Sequence, residues 1–190
     1  MTTPQKPDAG HVEIDRTAVR AKLAARRAET MRRFLAYREA RIYPINNLAG
    51  GGFRHVWVDD LGNLCAAATL ISGDWGRDAT ARVGAGNNEI KIADVKSGAV
   101  LEWILQSGLT QHELVAIQVP GFQWDPQEEM RQAEIARLYN IYVDVERQLN
   151  SLWEANLDEA VDALMKHPTL ARQLLADQVA GPGKFATPVG

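Results

Sequence analysis

Apolar positions recur at helical spacing over most of this chain and at strand spacing only in its middle. In the C-terminal half, Ile135, Leu138, Tyr142, Val145, Leu149 and Leu152 step by 3, 4, 3, 4 and 3 residues. That is the rhythm of a helix with one apolar seam, and it predicts a helix over about residues 126–153. The seam covers about two and a half heptads, short of the three to four that a coiled coil asks for. The plainer expectation is therefore a helix covered by its own domain; as an interface, these same six residues form the partner-binding set. Two shorter helices are expected at 157–165 and 169–178, divided at His167 and Pro168.

A second long helix is predicted near the N-terminus, from Glu13 or Asp15 to about Arg41. Acids favour the positive end of a helix dipole, and Pro44 disfavours helix in the residue before it. Val19, Leu23, Met31, Phe34, Leu35, Arg38 and Ile42 mark a broken apolar stripe, with Arg27 interrupting it.

Between the two long helices the period changes. FRHVWV (53–58) alternates, with Phe53, His55 and Trp57 on one face, and DDLGN after it is a turn signal. EIKIADV (89–95) alternates in the same way. LCAAATLI (64–71) fits a strand or a helix, and its three consecutive alanines favour helix. Residues 78–83 suit one or two helical turns. A helix capped by Ser97 or Asp94 should run to Ser107 with Val100, Leu101, Ile104 and Leu105 inward and Gly108 as its stop. Thr110 with Glu113 three residues on has the form of a capping box for the next helix. The expected fold is mainly α, α+β at the margin, with long helices around a small central β element.

Composition adjusts this picture only slightly. With 190 residues, 46% hydrophobic and 24% charged, the chain suits one domain, placed at 13–178. Residues 1–12 and 179–190 lack periodic pattern and are expected to be mobile tails. No apolar run approaches the roughly 20 residues of a membrane helix, the N-terminus does not look like a signal or transit sequence, and one cysteine makes no internal disulfide. The cytosol is the expected compartment, and the Ala- and Arg-rich helices suit a GC-rich bacterial genome.

Charge changes the picture more. Net charge is −3, yet residues 16–41 hold nine Lys/Arg against two acids, and residues 122–178 hold five against eleven. The two segments either attract each other or offer a basic face to an anionic partner. Arg26, Arg27, Arg32 and Arg33 are the anion-binding candidates, with internal pairing or solvation as the competing and preferred explanation.

Catalytic signals are thin. Cys65 would lie in the first turn of the helical reading of 64–71, where a helix dipole favours thiolate. His55 or His112 would be the base, with Asp59 or Asp60 orienting it. Against this, a free cysteine among alanines is most often buried and inert. The histidines at 11, 55, 112 and 167 have no metal-ligand spacing, and the glycine clusters at 50–52 and 84–86 fit neither a P-loop nor a dinucleotide fingerprint. No metal and no cofactor is implied. Residues 100–119 have the outline of a helix-turn-helix, but the second helix lacks Arg and Lys, so DNA reading is disfavoured. Trp75 and Trp124 sit in loop-like stretches and are possible partner anchors. The function expected is association without catalysis, as an oligomer subunit or adaptor. A cysteine-dependent hydrolase or transferase is the first alternative, and anion or nucleic-acid binding through the basic helix the second.

Overall fold

A computed structural model describes residues 13–45, 55–122 and 128–182. Among these are eight α-helices: α1 (Arg16–Ala40), α2 (Ala66–Trp75), α3 (Arg77–Gly86), α4 (Gly98–Gln106), α5 (Gln111–Gln118), α6 (Glu128–Ser151), α7 (Trp153–Met165) and α8 (Pro168–Leu175). The fold is mainly α, and within 64–71 the helix starts at Ala66, after the extended Cys65.

Helix ends follow the local chemistry. Asp15 caps α1 by accepting from the Thr17 and Ala18 backbone N–H groups, and Arg41 closes it in the left-handed region at φ 54°. That reversal throws Ile42 out of the apolar stripe and leaves it 59% exposed. Thr110 and Glu113 form the expected capping box on α5.

The described residues do not bear out the central β element. No sheet exists among the described residues, only one isolated antiparallel bridge between Val58 and Leu64. Where these stretches are described, side-chain amides from helices and loops satisfy their backbone polar groups. The Asn88 side chain donates to the Val58 carbonyl (2.8 Å) and accepts from the Val58 N–H (2.9 Å), as a neighbouring strand would. Farther along, Gln118 accepts from Ile92 N–H (2.7 Å) and donates to the Ile90 carbonyl (2.9 Å), and Gln111 donates to the carbonyls of Ile92 and Val95. Extended backbone needs partners for its polar groups, not specifically another strand. Here residues 92–94 tighten into a 3-10 turn instead. Phe53 and Arg54, from the first expected strand, lie outside the described residues, as do the 46–52 glycine run and Trp124.

α1 runs through two apolar clusters. Its N-terminal half sets Val19 and Leu23 against Leu157, Val161 and Leu164 of α7 and Ala171 and Leu174 of α8. Its C-terminal half sets Met31, Phe34 and Tyr37 in a larger core with Trp57, Leu70, Ile71, Trp103 and the α6 seam. Each fully buried side chain of this size stabilises by about 1.5–3 kcal/mol. Arg27, the residue that breaks the stripe, lies between the two clusters.

The packing continues past Gln178, where a tail was expected to begin. Val179 lies against the larger core. Ala180 is held at both polar atoms, its carbonyl by Trp75 Nε1 (2.6 Å) and its N–H by Gln106 Oε1 (2.6 Å).

Candidate functional site

The cations of α1 divide by helix face, and most of them meet carboxylates of this same chain. Arg16 pairs with Asp162 at 2.6 Å, and Arg20 with Glu154 and Asp158 at 2.6 and 2.8 Å. Lys22 pairs with Asp177, and Arg38 with Glu146. Arg26 grips Asp74 through two nitrogens (2.5 and 3.1 Å), and the same carboxylate accepts from Arg33 and from Trp103 Nε1 (2.7 Å). Burial opposes charge on Asp74, but the hydrogen bonds from Arg26, Arg33 and Trp103 outweigh it and hold the carboxyl well below its usual range.

Arg27 has 0% exposure and Glu113 2%; the two form a bidentate pair at 2.6 and 2.8 Å. The guanidinium also donates to the carbonyls of Leu149 and Gly108 and lies 4.5 Å from the Trp153 ring centre. Glu113 in turn accepts from the Thr110 N–H and Asn156 Nδ2, both at 2.8 Å. Arg27 therefore cannot meet an outside anion. Arg26, 16% exposed, is committed to Asp74.

The remaining two anion-binding candidates stand apart. Arg32 and Arg33 line a groove of about 440 Å³ between α1, α2 and the 59–63 turn, and Arg77 of α3 joins them. Ala36, Ala40, Ile42 and Leu64 supply its apolar surface, and Ser72 and Asn63 add polar atoms; no acidic side chain lines it. Arg33 is fully used, by Glu29, Asp74 and the Leu70 carbonyl. Its guanidinium crosses Gly73 so closely that a Cβ there would sit 2.5 Å from it. Arg32 spends Nε and Nη2 on Glu29 and keeps Nη1 for other acceptors. Arg77 donates from Nη2 to the Gly62 carbonyl and has no carboxylate partner among the described residues. Arg77 was invisible to the sequence reading because it lies outside the basic run and reaches the groove only through the α2–α3 turn. A larger cleft of about 550 Å³ between α4 and α8 carries Lys96 and Lys166 together with Glu102, whose carboxylate offsets part of their charge.

Cys65 is the N-cap of α2 and not a residue of its first turn, with Sγ accepting from the Ala68 N–H at 3.5 Å. It lies in the larger core at 8% exposure. Burial pushes the thiol up to about 11, only partly offset by Ala68 N–H and Gln118, so the nucleophilic form is scarce at neutral pH. No imidazole is among its hydrogen-bond partners in the described residues; His112 is exposed on α5 and His55 half-buried. Asp59, offered as an orienting carboxylate, accepts from the N–H groups of Ile45, Leu61 and Asn63 and closes its own turn.

The heptad seam is also used internally. Leu138, Tyr142, Val145 and Leu149 are buried in the larger core and Ile135 packs against it; only Leu152, at 49%, is exposed. Trp75 is buried as well. In the helix-turn-helix outline, Gln111 and Gln118 are bound to the 90–95 backbone and unable to read bases. No helix among the described residues is long and apolar enough to cross a membrane.

Comparison of the chain with protein families, with curated proteins and with solved structures finds no match.

Proposed function

We propose that this protein works by association and not by catalysis, receiving an anionic partner in the groove between α1 and α2. The observation that carries the reading is the groove itself. Three guanidiniums line it, two of them with donors to spare, and no acid lies among its walls. Arginine beside exposed apolar surface is the composition of binding hot spots. The adaptor reading fits this site better than an oligomer built on the 135–152 seam, four of whose six side chains are buried within the fold.

The test is retention on a heparin resin with elution in a salt gradient. Wild-type protein is expected to bind and to elute with salt, and Arg32→Ala with Arg77→Ala to elute markedly earlier while keeping its helical signal. Absence of retention, or elution that ignores both arginines, sinks the proposal. Light scattering at low and high salt, run beside it, separates a partner site from self-association.

A further inference from the structure

The groove has a direction, and its two ends differ. It follows α1 from Arg32 to Ala40, eight residues or about 12 Å of helix rise. Arg32 and Arg33 stand at one end, where Gly73 of α2 lies against Arg33. Ala40, Ile42 and Leu64 form the other. Ile42 there is 59% exposed, and Leu61, two residues from the groove-lining Asn63, is 76% exposed. These are two of the five large apolar side chains that the described part of the fold leaves most exposed. Between the ends the groove is lined by Ala36, Thr69 and Ser72, whose side chains are small.

A phosphate ligand asks for donors that converge on one point, commonly backbone N–H groups. This groove is built otherwise. Arg33 is saturated, and α2 contributes side chains and not its N-terminus, which Cys65 caps. The free donors of Arg32 and Arg77 come from different helices over an apolar surface.

Resting on the association reading, we infer that the occupant is a short acidic segment of a partner protein that carries an apolar residue. Its carboxylates meet Arg32 and Arg77, and its apolar side chain seats on Ala40, Ile42 and Leu64. About 12 Å corresponds to roughly two turns of a helix or three to four extended residues. Charge complementarity gives the encounter and the apolar seat gives the hold.

The test is fluorescence anisotropy with three labelled synthetic peptides: a glutamate-rich one with a central leucine pair, the same with both leucines changed to serine, and the same with lysine for glutamate. ATP serves as an unlabelled competitor. The leucine–glutamate peptide is expected to bind about tenfold or more tighter than either control. Arg77→Ala and, separately, the groove-filling Ala36→Trp are each expected to weaken it at least roughly fivefold, with circular dichroism verifying the fold. If Ala36→Trp fails to fold, Arg77→Ala alone decides. Equal binding of the serine peptide, or indifference to both variants, overturns the inference. ATP bound through Arg32 and Arg77 while no peptide binds overturns it too, yet leaves the anionic groove standing. Failure of peptides and ATP, together with heparin retention that ignores the arginines, removes both.

Discussion

Glu113 serves two helices at once. Its carboxylate closes the capping box of α5 and holds Arg27 of α1 in the interior. Removing one partner of a buried pair strands the other, at a cost of about 3–5 kcal/mol, whereas replacing both with apolar residues of similar size is often close to neutral. Glu113→Leu and Arg27→Met are each expected to lose about that much in urea melts, and the double variant to lose less than their sum. Acid should act on the same class of group. Burial opposes ionisation of Glu113 and Asp74, but their donors outweigh it, and Arg32 with Arg33 holds Glu29 down to about 2. All three folded-state values lie below the unfolded ones, so their stabilisation is complete above about pH 5 and is lost as pH falls through the folded values. The urea midpoint of wild type is expected to drop from pH 5 to pH 2, and Asp74→Asn to start lower and fall less steeply. For Cys65, whose thiol is raised to about 11, alkylation at neutral pH is expected to be slow in buffer and fast in denaturant. Fast labelling of the folded protein would reopen the cysteine alternative. The sequence carried the argument for an inert thiol, since alanines surround it, but not its role as a cap. Likewise Arg27 was visible as an interruption and Glu113 as a cap, 86 residues apart, with nothing local to join them.

At the scale of elements, most helices could be read from the chain because propensity, caps and apolar spacing agree along them. The strands could not. Alternation reports one face turned inward, as at Trp57 and Ile92, both buried; what it cannot report is who bonds to the backbone. Gln118 and Asn88 act from 26 and 30 residues away. Gln118→Ala leaves the Ile92 N–H and Ile90 carbonyl without partners, which costs about 1–3 kcal/mol, with accelerated amide exchange at Ile92 as its local sign. The turn between α4 and α5 is tighter still. Gly108 sits at φ +81°, and a Cβ there would press on the α1 backbone at Leu23 and Arg27. Gly108→Ala is expected to cost roughly 2–4 kcal/mol, read as a lowered melting temperature. The stop signal at Gly108 was plain in the sequence, but the contact with α1 was not.

For the molecule as a whole, the charge asymmetry of the chain is largely consumed within it. The basic helix and the acidic C-terminal helices were expected to attract each other or to serve a partner; the first explanation holds for Arg16, Arg20, Lys22 and Arg38, while Arg26, Arg32 and Arg33 pair with Glu29 and Asp74 of the chain's first half. The seam of α6 follows the same economy. Leu138→Ala should cost about 2–5 kcal/mol of stability without changing the mass seen by light scattering. A drop in mass instead would return the seam to the role of an interface. Periodicity correctly predicted an apolar face on α6 and could not say which surface covers it, because that depends on α1 and α5 packing over it from distant parts of the chain.

That α1 passes through both apolar clusters also orders events during synthesis. Its first cations wait for carboxylates made much later: Arg20 and Glu154 are 134 residues apart, and Lys22 and Asp177 155. At about 5–20 residues per second on a ribosome, α1 emerges roughly 7–30 s before its last partners. During that interval the Met31–Tyr37 half of α1 can already meet α2, while Val19 and Leu23 have no apolar partner. The smaller cluster cannot form until α7 and α8 leave the exit tunnel, so the final helices of this chain complete what its first one begins.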